Sequence, residues 1–263
     1  MLRVTKKEIY AHYGIDFDGK YIIAPDFGPI LPLLKNNNRK VGKKVYTSST
    51  LAGTKEYALT ICERGYIVTG TCVCDCKGCY AKTGCYNFPG VKISNAISTI
   101  LARDYLEFYR RAIIAQIHAD KIKYCRVHAS GDFFSADYIN AWRSIVKACP
   151  DCIFWTYTKN PAAENAFDDL NNINIVKSCI AGIGYNYGEI SHVINAYNAL
   201  KNAGENAYIC RCGIDENQHC ENCTGCSKNK YVLFIEHSTD YVAKLDPRYD
   251  EIAALINSQP AQK

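Results

Sequence analysis

From residue 66 onward, short apolar runs alternate with longer segments whose apolar residues return every three or four positions. Tyr66-Ile67-Val68-Thr69 reads as a short buried strand, and Tyr124-Cys125-Arg126-Val127-His128-Ala129 as the next. Cys152 to Tyr157, Ile173 to Ile180, Ala207 to Ile209 and Tyr231 to Ile235 continue the series. Runs rich in β-branched and aromatic residues suit strands covered on both faces. Between them, Ile97, Ile100, Leu101, Tyr105, Phe108, Ile113 and Ile117 share a helical stripe, which predicts a helix over 94–119 capped by Ser94. Further helices are predicted over 136–148 behind Ser135, from Pro161, over 189–203 up to Gly204, and over 247–256.

Strand and helix in alternation imply parallel strands joined by right-handed crossovers. A doubly wound sheet and a β/α barrel both fit. The expectation adopted is an α/β fold, a full or partial (β/α)6 TIM-like barrel with a Cys-rich C-terminal extension. Residues 1–60 form an N-terminal extension, 61–205 the core and 206–263 the Cys-rich region with the last strand and helix. In either architecture ligands gather where the strands end. The unusual residues stand there: a cysteine loop after the first run, Ser130-Gly131-Asp132 after the second and Lys159-Asn160 after the third.

The 263 residues are 48% apolar and 22% charged, a globular balance. No apolar run approaches the ~18 residues of a membrane span, and the first residues carry no hydrophobic signal segment. The expectation is a cytoplasmic chain with no membrane partner. The formal charge of +5 is a weak hint of a polyanionic partner. The basic stretch Asn36 to Lys44 reads as a solvated loop or one that meets phosphates. Cysteine is the outlier, with 15 in a chain read as cytosolic, where disulfides are rare. Closely spaced thiolates in such a chain point to metal.

Cys72, Cys76 and Cys79 are spaced C-x3-C-x2-C, with Cys74 and Cys85 as neighbouring alternatives. Three thiolates can hold three corners of a [4Fe-4S] cluster and leave one iron open, where four would close it. Structural zinc is the competing reading, since Cys76 and Cys79 also make one C-x2-C knuckle. The loop resembles the signature of radical S-adenosylmethionine (SAM) enzymes. That resemblance implies a [4Fe-4S] cluster whose open iron takes SAM, reductive cleavage of SAM to a 5′-deoxyadenosyl radical, and an external electron donor of the flavodoxin or ferredoxin type. Ser130-Gly131-Asp132 resembles the family's Gly-Gly-Glu-type turn, with Ser for the first Gly and Asp for Glu. Thr158-Lys159-Asn160 resembles its Thr-Asn-Gly strand end. By the same resemblance Ser130, Gly131 and Asp132 would contact the methionine amino group, and Lys159, Asn160, Tyr80 and Gly184 would line the rest of the pocket. Gly78 stands where the family carries an aromatic residue. Several stretches, among them Asn38 to Lys43 and His128 to Phe134, also resemble a phage-encoded family known by a gene-product number.

A second group follows at Cys210, Cys212, Cys220, Cys223 and Cys226. Its C-x2-C-x2-C run with Cys210 or Cys212 suits a closed [4Fe-4S] cluster, and it suits zinc as well; His219 is an alternative ligand. Cys62, Cys125, Cys149, Cys152 and Cys179 read as buried small hydrophobes. His128, placed by strand alternation on the face of Ser130, and His237, beyond the sixth strand, are candidate proton-transfer residues. Tyr185 and Tyr187 could stack on an adenine or a substrate ring. The expected function is a radical SAM enzyme whose substrate leans toward a nucleotide or nucleic acid. A non-catalytic zinc protein that binds nucleic acid is the alternative.

Overall fold

The computed structural model describes residues 4–36, 38, 41–74, 76, 79–215, 218–235 and 246–259. Thirteen strands are described: β1 (Ile22–Ala24), β2 (Gly28–Ile30), β3 (Val45–Thr47), β4 (Glu56–Ile61), β5 (Arg64–Thr69), β6 (Tyr124–Val127), β7 (Ile153–Thr158), β8 (Ile173–Lys177), β9 (Cys179–Ile180), β10 (Gly184–Tyr185), β11 (Tyr187–Gly188), β12 (Ala207–Ile209) and β13 (Tyr231–Ile235). The helices are α1 (Lys6–His12), α2 (Pro89–Asp104), α3 (Leu106–Asp120), α4 (Ala136–Ala148), α5 (Pro161–Glu164), α6 (Ile190–Asn202), α7 (Gly225–Lys228) and α8 (Tyr249–Ser258).

The fold is mixed α/β with parallel sheets. One runs in the order β3, β6, β7, β8, and a second in the order β11, β13, β12, all parallel. A backbone bond joins the two. Lys177 N–H, at the end of β8, donates to the Lys230 carbonyl just before β13 at 3.1 Å. The chain leaves the sheet after β8, makes the small β9–β10 hairpin, and re-enters when Asn186 N–H meets the Ser178 carbonyl at 3.1 Å. Among the described residues no closed barrel forms, because β3 and β12 do not pair. The last strand, β13, sits between β11 and β12, so the two final strands are exchanged relative to a sequential barrel.

One departure from the pattern relocates the first core strand. Tyr66 to Thr69 is an arm of an antiparallel hairpin, β4 with β5, and Ile67 on it is 74% exposed. The first parallel strand is Val45–Thr47, which pairs with Tyr124 to Arg126. Three residues are too few for a periodicity to declare them. The hairpin is thus an insertion between that strand and the cysteine loop. A second departure splits the long predicted helix. It begins at Pro89 and breaks at Tyr105, whose φ of −130° and ψ of 45° are not helical. The remaining elements fall close to expectation. Ser135 caps α4 by accepting Tyr138 N–H, and Gly204 follows α6 with a positive φ of 77°.

Helices α2, α3 and α4 cover one face of the first sheet. Trp142, Ile145 and Val146 of α4 pack with Tyr109 and Ile113 of α3 and with Cys125, Val127 and Phe154 of the strands, all fully or nearly fully buried. Burying each large apolar side chain contributes about 1.5–3 kcal/mol. Helices α6 and α8 pack on β12 and β13 around Val193, Ile209, Leu233 and Ile252. The opposite face carries a smaller cluster: Val45, Trp155, Val176, Tyr208 and Val232, closed by Cys226. The C-terminal cysteines therefore cover this face instead of extending away from it.

Gly131 has a φ of 83°, and a Cβ there would lie 1.9 Å from Thr50 Oγ1 and 2.5 Å from Thr71 Oγ1. Gly131→Ala should destabilise the fold by about 2–4 kcal/mol, from left-handed strain plus overpacking. Gly28→Ala, with a φ of 66° and open space around it, should cost only about 1–2 kcal/mol. Denaturant unfolding of both variants checks this, and equal losses would contradict the close packing at Gly131.

Candidate metal and cofactor site

The turn after β6 is the centre of the N-terminal site. The Asp132 carboxylate is 6% exposed and accepts three bonds. They come from Phe133 N–H at 2.7 Å, Thr158 Oγ1 at 2.7 Å and Lys159 N–H at 3.0 Å. Burial still pushes its pKa above the usual carboxylate value, with these bonds opposing. The Asp132 N–H donates to Thr71 Oγ1 at 3.1 Å, and Thr71 Oγ1 donates to the Leu51 carbonyl at 3.0 Å. Ser130 Oγ donates to the Thr50 carbonyl at 2.9 Å, and Thr50 N–H to the Ser130 carbonyl at 3.0 Å. One turn thus ties together the segment after β3, the residue before Cys72 and the end of β7.

That arrangement gives Ser130 and Asp132 a bracing part. Both side chains are buried and bonded to their own chain, so they are not side chains left open toward a ligand. Asn160 behaves alike, with Nδ2 on the Phe133 carbonyl at 2.9 Å and Oδ1 capping α5 through Ala162 N–H at 2.9 Å. Lys159 does reach the cysteines, and its Nζ lies 3.2 Å from Cys76 Sγ. Burial works against its charge, yet the Cys76 sulfur more than offsets this and leaves its pKa raised. The same ammonium sits 4.9 Å from the Tyr185 ring centroid and 5.7 Å from that of Tyr187. Those rings stack at 5.4 Å and 14°. Gly184, at a φ of 102°, opens the hairpin strand that carries Tyr185. Tyr80 begins a short 3-10 turn over Tyr80–Lys82.

Cys72, Cys74, Cys76 and Cys79 are all partly buried. Cys72 Sγ accepts Gly53 N–H at 3.1 Å, and Cys74 and Cys76 sulfurs lie 3.6 Å apart. Burial, with the nearby charge of Asp132 and the other cysteines, pushes the Cys72 thiol up to about 12. A metal bound there must displace its proton. Cys85, by contrast, is exposed.

The C-terminal group is more enclosed. Cys210, Cys212, Cys220, Cys223 and Cys226 line one small hollow with Tyr124, Trp155, Tyr208 and Ser227. Gly225 N–H donates to Cys223 Sγ at 3.4 Å, and Tyr157 Oη donates to Cys226 Sγ at 2.9 Å. Cys212, Cys220 and Cys226 all have raised thiol pKa values. For Cys226 burial is the leading cause; for the other two it is thiol-to-thiol bonding within the group. Asn174 of β8 holds the segment by donating to the Cys226 and Asn229 carbonyls at 2.7 and 2.8 Å. Glu221 latches the basic loop, accepting Lys44 N–H at 2.9 Å and donating its own N–H to Val41 O at 3.1 Å. As the side chains stand, no three His, Cys, Asp or Glu among the described residues close on a metal ion. In kind and number the thiols suit a cluster with sulfurs at its corners, and the N–H donors aimed at Cys72 and Cys223 suit thiolate ligands.

Sequence reasoning missed Tyr157 and Thr71. Tyr157 stands two residues before Lys159, so strand alternation offered the signal. Of the smaller cysteines, Cys125, Cys149 and Cys152 are buried as expected, whereas Cys62 and Cys179 are exposed. His237 lies outside the described residues. His128 does not face the side that carries the C-terminal cysteines. Its backbone is left-handed, with φ 59°, which breaks the alternation and turns the ring toward the helices. There Nε2 meets Tyr138 Oη at 3.0 Å and the ring packs on Phe133 and Trp142. Burial, helped by the Arg126 charge, lowers its pKa to about 3.

His128 therefore stays neutral in the fold at pH values where the unfolded chain is protonated. Its stabilising contribution is complete above about pH 6.5 and declines as pH falls toward about 3. His128→Asn, which tolerates the left-handed backbone, should flatten the acid slope of unfolding free energy by about one proton. Urea unfolding at a series of pH values reads this. An unchanged slope would mean that His128 is not held neutral.

The family model described as Gene product 88 matches residues 32–238. The Gene 88 proteins of Mycobacterium phage L5 and Mycobacterium phage D29 are each 27% identical over 143 residues, covering 48% of this chain and 58% of theirs. The chain thus spans less than two thirds of these relatives. No solved structure matches. The family match runs through the Asp132 turn and both cysteine groups, and the chain belongs to the Gene product 88 family.

Proposed function

We propose that this chain is a radical SAM enzyme whose open [4Fe-4S] cluster is held by Cys72, Cys76 and Cys79. The observation that carries the reading is the placement of these thiols. The cysteine loop lies at the C-terminal ends of parallel strands, pinned through Thr71 to the Asp132 turn and faced by Lys159 from the end of β7. When bound, the cluster supplies the electron that cleaves the sulfonium of SAM. The chain's own residues do the positioning. Gly53 N–H and the Lys159 ammonium stabilise thiolate charge at Cys72 and Cys76. The Asp132 turn fixes the loop's first residue relative to β7. Tyr185 and Tyr187 present stacked rings beside Lys159, suited to a nucleobase or adenosyl group.

The C-terminal thiols would hold a second, closed cluster against the face of Trp155 and Tyr208. A flavodoxin or ferredoxin type of protein would supply electrons, and the substrate class favoured is a nucleotide or nucleic acid. No described helix is long and apolar enough to cross a membrane.

The test is SAM cleavage. Anaerobically loaded protein with dithionite should convert SAM to methionine and 5′-deoxyadenosine. Cys76→Ala should bring this below detection, because two thiolates hold the cluster poorly. Fully iron-loaded wild type that yields neither product overturns the reading. So does a reconstituted protein that takes up zinc and no sulfide, which would favour the structural zinc alternative.

A further inference from the structure

Among the side chains that touch the cysteines, which on the C-terminal group include Tyr124 and Tyr208 of other strands, with the Tyr208 hydroxyl 3.6 Å from Cys223 Sγ, one strand supplies a donor to each group. Residues 155, 157 and 159 alternate onto the same face of β7 and its continuation. Trp155 lines the C-terminal hollow, Tyr157 Oη donates to Cys226 Sγ at 2.9 Å, and Lys159 Nζ donates to Cys76 Sγ at 3.2 Å. Two donors, two residues apart, thus each end on a sulfur of a different group.

Neither donor is free to wander. β7 is paired on both sides, by β6 and β8. The Tyr157 ring is fixed by the Arg126 guanidinium 4.8 Å from its centroid and by Phe234 at 5.4 Å and 76°. Lys159 N–H is bonded to Asp132 Oδ2 at 3.0 Å. A neutral thiol is a weak acceptor, a poor partner for a phenol held this firmly. A metal-bound thiolate is a strong one. The geometry therefore fits the liganded form of Cys226 better than the free thiol.

We infer that β7 sets both the spacing and the electronic properties of the two metal centres, with Tyr157 the positioning residue for the C-terminal centre and Lys159 for the N-terminal one. This rests on the cluster reading above. A donor on a ligand sulfur draws electron density from the cluster and raises its reduction potential. Each donor should act on its own centre only. Each centre takes up one electron from the reductant, and the bond is present in both states.

The experiment is an EPR-monitored redox titration of anaerobically loaded full-length protein, with dithionite as reductant and the two centres distinguished by their response to SAM. Tyr157→Phe keeps the ring contacts and deletes only the hydroxyl. It should move the midpoint of the C-terminal centre to a more negative potential and leave the N-terminal one in place. Lys159→Met should do the reverse. A Tyr157→Phe protein that keeps its circular dichroism and N-terminal iron but loses the C-terminal iron also supports the assignment, because the hydroxyl then holds Cys226 in register. Both midpoints unchanged in both variants, or both shifted by either variant, overturns it. Wild type that binds no iron overturns the cluster reading itself, a result distinct from iron-loaded variants without selective shifts.

Discussion

Asp132 is a carboxylate buried in the fold, and burying such a group is costly unless donors surround it. Here Phe133 N–H, Thr158 Oγ1 and Lys159 N–H do so. Because two of those donors belong to the end of β7, satisfying the carboxylate fixes the distance between the two strand ends. Its backbone N–H holds Thr71, and Thr71 precedes Cys72, so the cysteine loop inherits the same anchor. Gly131 makes the close approach possible, since Thr50 and Thr71 leave no room for a Cβ. The position of the N-terminal thiols thus follows from a desolvated charge that the chain must pair.

The C-terminal thiols depend on a different constraint. They cover the face of the sheet opposite α2, α3 and α4, where Trp155, Val176, Tyr208 and Val232 would otherwise face water. Asn174 holds their helix from β8, and Glu221 ties the basic loop across them. The segment is therefore part of the core. The two groups meet the same strand, β7, at Tyr157 and Lys159, two residues apart on one face at its C-terminal end, and a sheet strand is among the stiffest elements a fold offers for holding two sites in register.

Much of this was legible in the chain. Ala207 to Ile209 and Tyr231 to Ile235 read as strands because both faces are buried, and they fall where expected. Ser135 and Gly204 marked helix ends by local chemistry that tertiary contacts do not override. The cysteine groups were visible from spacing alone. What stayed hidden needed contacts distant in sequence. Val45–Thr47 is too short to announce itself, and its role comes from pairing with Tyr124 to Arg126, far along the chain. The hairpin arm Arg64–Thr69 resembled a core strand by composition while leaving Ile67 in solvent. His128 misled because one positive φ reverses the face to which a side chain points. The engagement of Asp132 could not be read locally, since its partners lie 26 and 27 positions on.

The central proposal is that the two thiol groups met by Tyr157 and Lys159 of β7 and its continuation hold iron–sulfur clusters. Anomalous X-ray diffraction at the iron edge, on crystals of anaerobically prepared protein, tests this most directly. The account predicts one iron peak beside Cys72, Cys76 and Cys79 and a second within the hollow formed by Cys210, Cys212, Cys220, Cys223 and Cys226. Peaks at the zinc edge in those places, or no metal peak at either, would contradict it.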